Sequence, residues 1–328
     1  MSSYNKQQFY INRNKIVSRH AVKYKKKKKK KKQKKKKQKK QKKNVESAKI
    51  EYKIVKNNDN DIFLNNKLWA HLHCHNIDKF DEIYNKYIDR IQKHFSIIVT
   101  YNIGNNIPDL DIIVLKVENR GSDIGPKFTM INYINNNNIK FDFVLMLHSK
   151  SHYQTRKKYF DKMLLNLDNI VSKLDNNNDG IYTFNIIHDG RIDTKTKLKY
   201  KKPWGRNNYH MKHILKTYQL QNVNYKFPEG NIYILHSTIA NYIFDNRYDI
   251  YKQLNTNFSF DYSWFTNYYK LYNLSYLEAY KLFKTKNLKG NNFYSKNNDL
   301  GDAMIEHTFE RIQFTVCDFF NKTKQIIK

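Results

Sequence analysis

Asp111-Ile112-Ile113-Val114-Leu115-Lys116-Val117, followed after Glu118 by Asn119-Arg120-Gly121-Ser122-Asp123-Ile124-Gly125-Pro126, is the stretch that decides the fold. The first half is an apolar run of the length of a mostly buried strand. The second half turns on two glycines and opens a helix with proline, whose missing N–H costs nothing at a helix start. A strand that feeds a helix through a glycine turn is the building unit of an α/β domain with a largely parallel sheet. The same turn is a candidate anion cradle. Unpaired N–H groups at the helix start would face the loop, Gly121 and Gly125 would let a phosphate approach the backbone, and Arg120 would add a bidentate charge. A structural turn capped by Asp123 is the alternative, and the glycine spacing does not choose between them.

Outward from this unit the alternation continues. Leu68 to His73 reads as a first strand. Lys79 to His94 reads as a helix, with Phe80, Ile83, Tyr84, Tyr87, Ile88 and Ile91 at helical spacing and Asp81 and Glu82 in its first turn. Ser96 to Tyr101, Phe141 to Leu147, Gly180 to Ile187 and Asn231 to Leu235 read as further strands. A second amphipathic helix is predicted over Lys158 to Leu174, with Phe160, Met163, Leu164, Leu167, Ile170, Val171 and Leu174 on one face. The basic, tryptophan-containing stretch from Asp189 to Phe227 reads as an irregular insertion over the site. Near the end, Ser275-Tyr276-Leu277-Glu278 is a capping box, and Asp302 to Phe314 reads as a helix.

The 328 residues suffice for one large or two modest domains. The two cysteines, Cys74 and Cys317, cannot form a disulfide framework and fit a reducing compartment. No segment approaches the roughly 20 apolar residues of a bilayer span, and the first residues lack the apolar core of a signal peptide. The expectation is a soluble, cytoplasmic protein. Of the net charge of +32, sixteen units come from the sixteen lysines between Lys25 and Lys43, a tract broken only by Gln33, Gln38 and Gln41. Removing them leaves +16. Such a run repels itself and has nothing to bury, so residues 1–49 are predicted to be a disordered arm ahead of a domain over 50–328. The arm, through residues 25–43, would bind polyanions or an anionic membrane, as a function or as a by-product of its composition.

Four stretches carry a resemblance. His71-Leu72-His73 with the acidic helix start behind it resembles the opening strand of the rhamnan-synthesis F family, glycosyltransferase-like proteins of bacterial polysaccharide assembly. Asn119 to Pro126 is similar to that family's Asn-Arg-Gly-Arg-Asp-Ile-Gly-Pro signature, with Ser122 in place of the second arginine. Leu147-His148-Ser149-Lys150-Ser151 resembles its Leu-His-Thr-Lys-Lys-Ser segment. Asp302 to Arg311 resembles its Asp-Gly-Thr-x-x-His-Ala-x-Glu-Arg helix, with Asp302, His307, Glu310 and Arg311 in register. Phe227 to Tyr233 is a weaker match to an Ala-Gly-Thr-Met-Phe strand. The order is unchanged over about residues 67 to 315.

The resemblance implies a nucleotide-sugar-dependent glycosyltransferase with a Rossmann-like sheet of the GT-A class, acting on a polysaccharide or glycoprotein glycan. Where many GT-A enzymes carry an Asp-x-Asp pair for a divalent metal, this chain has His148-Ser149-Lys150. Protein cations would then neutralise the leaving diphosphate, and no metal is expected. Loss of activity is the other explanation, leaving a glycan-binding or nucleotide-sugar-binding module. A polyanion-binding protein acting through its lysine arm is a third class.

The candidate catalytic residues are Asp123, His148, Lys150, Asp302, His307 and Glu310; the candidate donor-binding residues are Asn119, Arg120, Gly121, Ser122 and Gly125. Sugar transfer with inversion needs a base for the acceptor hydroxyl. Asp123, Asp302, Glu310 and Glu229 are candidates, and the sequence does not choose among them. Asp123 is equally a ligand for ribose or sugar hydroxyls. His71, His73 and His75 alternate on one strand face and offer a metal site, against the plainer reading of strand residues. Glu310 and Arg311 fit an ion-pair network anchoring the last helix as well as they fit a site. Trp204, Gly205 and Arg206 would line an acceptor groove or serve as an ordinary lid.

Overall fold

The computed structural model of the chain describes residues 50–58, 61–149, 153–188, 208–246, 248–254 and 305–327. Its strands are β1 (Tyr52–Lys56), β2 (Leu68–Asn76), β3 (Ser96–Ile103), β4 (Ile113–Val117), β5 (Phe143–His148), β6 (Asp179–Thr183), β7 (Ile186–His188), β8 (Lys226–Pro228), β9 (Tyr233–His236) and β10 (Thr323–Ile326). Between them lie α1 (Asp61–Leu64), α2 (Phe80–Gln92), α3 (Ile124–Asn136), α4 (Tyr153–Leu164), α5 (Leu167–Val171), α6 (Asn208–Thr217), α7 (Ser237–Phe244), α8 (Ile305–Phe309) and α9 (Gln313–Phe319).

Eight strands form one mixed, largely parallel sheet in the order β1-β4-β3-β2-β5-β9-β6-β10, flanked by helices; β7 and β8 pair separately. The block β4-β3-β2-β5 is parallel throughout. β1 joins it antiparallel at one edge, β9 runs antiparallel between β5 and β6, and β10 lies parallel to β6. Covering both faces explains why the central strands read as near-continuous apolar runs. On one face Ala70, Leu72 and Cys74 of β2 pack with Phe80, Tyr84 and Ile88 of α2 and Phe160 and Met163 of α4. On the other face Trp69, Ile98 and Val144 pack beneath Phe128, Met130 and Ile131 of α3. Helix α3 is buried on almost every side, because α7 and α8 cover what the sheet does not.

Several elements differ from the sequence reading. The helix expected over Lys158 to Leu174 is two, α4 and α5, parted at Leu165 and Asn166. Both lay their apolar residues onto the same core, so the periodicity carries across the break and hides it. The strand expected over Gly180 to Ile187 leaves the sheet after Thr183. Glu229 N–H donates to Asn185 O at 3.0 Å there, and β7 pairs with β8 instead. The stretch 189–227, read as irregular, holds the helix α6, whose Met211 and Ile214 enter the core; residues 189–207, with Trp204, Gly205 and Arg206, lie outside the described residues. Toward the C-terminus two short helices replace one. Arg311 Nη1 donates to His307 O at 2.7 Å and Gln313 Nε2 to Phe309 O at 2.5 Å, so side chains take carbonyls that a continuing helix would give to backbone N–H groups. Asp302 and the capping box at Ser275 lie outside the described residues, as does the arm.

Candidate functional site

One face of the parallel block changes character along its length. On β2 the residues of that face run Trp69, His71, His73; on β3 they run Ile98, Thr100, Asn102; on β5 they run Val144, Met146, His148. The apolar members stand at the amino ends and the polar members at the carboxyl ends. In register His73 pairs with Thr100 on one side and with His148 on the other. From β2 the chain winds to β3 and β4 in one direction and reaches β5 in the other. The carboxyl ends of β2 and β5 therefore border the topological switch point, where an open α/β sheet forms a crevice.

The histidines of β2 are held by β3. His71 Nε2 lies 2.8 Å from Thr100 Oγ1, and His73 Nδ1 lies 3.2 Å from Thr100 O and 3.1 Å from Thr100 Oγ1. A carbonyl only accepts, so Nδ1 of His73 carries the proton and Nε2 is left as an acceptor. Burial keeps both rings neutral: the His71 pKa falls well below its ordinary value, and that of His73 falls to about 3, Asp123 opposing the shift only in part. His75 turns to Asn102, with Nδ1 at 2.8 Å from Oδ1. The three rings thus serve neighbouring strands, and no group of three or more His, Cys, Asp or Glu suited to a metal ion occurs among the described residues. The Cys74 thiol donates to Asn76 O, and burial pushes its pKa up to about 12.

Beyond β4 the glycine turn is tight. Gly121 O accepts from Ile124 N–H at 2.9 Å and from Gly125 N–H at 3.2 Å, and Pro126, third residue of α3, has no N–H. Two of the donors foreseen for a phosphate, the N–H groups of Ile124 and Gly125, are therefore committed to the turn. Gly125 is required by packing, since a Cβ there would lie 1.9 Å from Arg120 O. Asn119 and Ser122 are half-buried beside it. The Arg120 guanidinium donates through Nε and Nη2 to Glu118 at 2.9 and 3.1 Å and through Nη1 to Leu254 O at 2.8 Å, close over the Tyr251 ring. It joins the turn to the segment at 251–254.

Asp123 precedes α3 but does not cap it. Its carboxylate points into the crevice instead, accepting from Asn231 Nδ2 and lying 3.3 Å from His148 Nε2. The same Nε2 is 2.9 Å from Gly230 O and so carries a proton. Gly230 has φ +74°, and a Cβ there would come within 2.5 Å of the Tyr159 ring. The turn Glu229-Gly230-Asn231 therefore contributes three times: Glu229 accepts from Tyr159 OH at 3.0 Å and from Asn185 Nδ2 at 2.5 Å, Gly230 holds His148, and Asn231 holds Asp123.

Behind Asn231 sits a group the sequence reading missed. Lys127 is fully buried; its Nζ donates to Asn231 O and to Tyr233 OH, each at 3.0 Å, and lies 4.5 Å from the Tyr233 ring centroid. Gln313 Nε2 donates to the same hydroxyl at 3.2 Å. Lys127 was unreadable because a lysine in an amphipathic pattern ordinarily faces water. The one available signal was an apolar surround, Ile124 to Ile134, with no other charge.

The last helices reach the same place. His307 Nδ1 lies 3.1 Å from Glu310 Oε2. Burial raises the Glu310 pKa and Asp123 adds repulsion, but the His307 contact and Arg311 outweigh both and leave it below its ordinary value. The structure brings Asp123, His148, His307 and Glu310 to one end of the sheet. Arg311 folds onto His307 O and the Phe227 ring, which is an anchoring role. Lys150 and Asp302 lie outside the described residues. The arrangement can accept protons and hydrogen bonds from hydroxyl groups at a carboxylate flanked by imidazoles. No protein-family model, curated protein or solved structure matches this chain.

Proposed function

We propose that the chain is a glycosyltransferase that moves a sugar from a nucleotide-sugar donor to a polysaccharide or glycoprotein glycan, on a Rossmann-like sheet of GT-A type. The observation that carries this reading is the polar cluster of Asp123, His148, Asn231 and Glu310 at the switch point of the sheet. Counted from β2, the block β4-β3-β2-β5 has the order 3-2-1-4 with which a doubly wound nucleotide-binding sheet begins. The segments that resemble the rhamnan-synthesis F family also supply the cluster. In this reading Asp123 takes the hydroxyl side of the reaction, as base or sugar ligand, and His148 with Lys150 faces the departing diphosphate.

One observation favours a second reading, a module that binds the sugar nucleotide or glycan without transfer: His148-Ser149-Lys150 stands where many GT-A enzymes carry an acidic pair. A panel of nucleotide sugars, followed by nucleotide release and thermal shift together, separates the two. Turnover with a donor, unaltered within about threefold by excess chelator, a change below about 1 kcal/mol, is the expected result. Stabilisation without turnover selects the second reading, and no response to any donor removes every reading that needs a sugar nucleotide.

A further inference from the structure

We infer that Lys127 is a positioning residue which, through Tyr233 and Asn231, keeps Asp123 as a carboxylate turned toward His148. The inference follows from counting donors and acceptors in a buried chain. A phenolic oxygen has one proton and two lone pairs. At Tyr233 two donors arrive, Lys127 Nζ at 3.0 Å and Gln313 Nε2 at 3.2 Å, so the tyrosine proton is driven out toward Asn231 Oδ1 at 2.8 Å. With Oδ1 accepting, the amide of Asn231 has a single orientation, and its Nδ2 must face Asp123. The reversed amide would set Oδ1 against a carboxylate oxygen and leave the tyrosine proton facing an N–H group. Lys127 fixes Asn231 a second time by donating to its backbone carbonyl at 3.0 Å.

Direction and charge act together here. Each bond in the chain points from the ammonium toward the carboxylate, so each polarises the next in the same sense. Lys127, Tyr233 and Gln313 are fully buried and Asn231 nearly so; in that low-dielectric surround a directed chain acts on Asp123 more strongly than it would in water. A buried ammonium is costly unless paired, and the chain gives Lys127 partners and an anion two residues away. The other groups facing Asp123 are His71 and His73 from β2, His148 from β5 and Glu310 beyond α8. The two strand histidines are neutral and Glu310 is an anion that favours protonation of Asp123. Lys127 offsets that repulsion through Tyr233 and Asn231.

The inference shares its crevice with the glycosyltransferase reading and rests on it only for any effect on turnover. The test therefore uses no donor. In the full chain the titration of Asp123 is followed by carboxyl carbon NMR, with Asp123→Asn to assign the signal. Tyr233→Phe keeps the ring and the ammonium but cuts the chain; the proton affinity of Asp123 is expected to rise about threefold or more. Lys127→Met is expected to raise it further, and Lys127→Arg to restore part of the change. An affinity that stays within threefold in folded Tyr233→Phe overturns the relay, even if donor binding is later found. If Lys127→Met does not fold, Tyr233→Phe decides alone. Absence of any nucleotide-sugar response with the expected titration overturns the donor reading and leaves the relay standing.

Discussion

His71 and His73 show at the residue scale what a polar side chain becomes inside a sheet. Alternation placed both on one face, and it was legible; that both rings end on one threonine of the next strand was not, because Thr100 carries no mark of its partners. Their ionisation has a measurable consequence. The folded pKa of His73 is about 3 against 6.5 for a free imidazole, and that of His71 is lowered too. Between those values the unfolded chain binds protons that the native chain excludes, so stability rises with pH through the window and is complete above about 6.5. On acidification it is lost as pH falls toward 3, by at most about 1.4 kcal/mol per pH unit for each ring. We expect the thermal midpoint to fall steadily between pH 6.5 and 4, and His73→Gln to flatten that slope. A variant that melts lower but keeps the wild-type slope would assign the acid sensitivity elsewhere. Asp123 and His148 were legible as candidates from their neighbouring motifs, whereas Lys127, Asn231 and Gln313 were not, since their roles depend on pairings over 80 residues and more of sequence.

At the scale of elements, periodicity found the strands of the parallel block and the helix after β2 almost to their ends. It failed where a side chain intervenes, as at Gln313, or where an apolar face runs on through a break, as between α4 and α5. The edge strand β10 shows the other failure: Thr323-Lys324-Gln325-Ile326 has no buried apolar face, and nothing in its composition marks a strand. Asp179 holds it there. This buried carboxylate accepts from Thr323 Oγ1 at 2.6 Å and Gln325 Nε2 at 3.1 Å, and from Tyr182 OH on its own strand. Asp179→Ala removes these acceptors at once and is expected to cost about 2–3 kcal/mol. Amide hydrogen exchange should then show β10 losing protection ahead of β6. Equal loss in both strands would mean that β10 is held by its backbone ladder alone.

Over the whole molecule, composition predicts a boundary near residue 50, and the described residues begin there. Ile50 is buried in the core and Tyr52 packs edge-on against Tyr133, with 5.8 Å between ring centroids. Deleting residues 1–49 is expected to leave the thermal midpoint within a few degrees of wild type while removing most low-salt binding to DNA or anionic vesicles and flattening its salt dependence. Deleting residues 1–57 should lower the midpoint clearly, because β1 and Ile50 go with the arm. Polyanion binding that survives the shorter deletion would move that activity to the folded domain. Charge carried no information on the crevice, whose ionic groups among the described residues are enclosed. No helix among the described residues is long and apolar enough to cross a membrane.

The antiparallel β9 gives the sheet an order of assembly. Its two neighbours, β5 and β6, both precede it in the chain, and among the described residues nothing else in the sheet joins them. During synthesis the block β4-β3-β2-β5 emerges complete, but its β5 edge stays open until residue 236 has left the ribosome, and β6 has no sheet to enter before then. A long-range pairing of this kind is slow to form, and the open edge is exposed to other chains meanwhile. Folding yield should therefore turn on the hand-over at β9 more than on the stability of the block that carries the crevice.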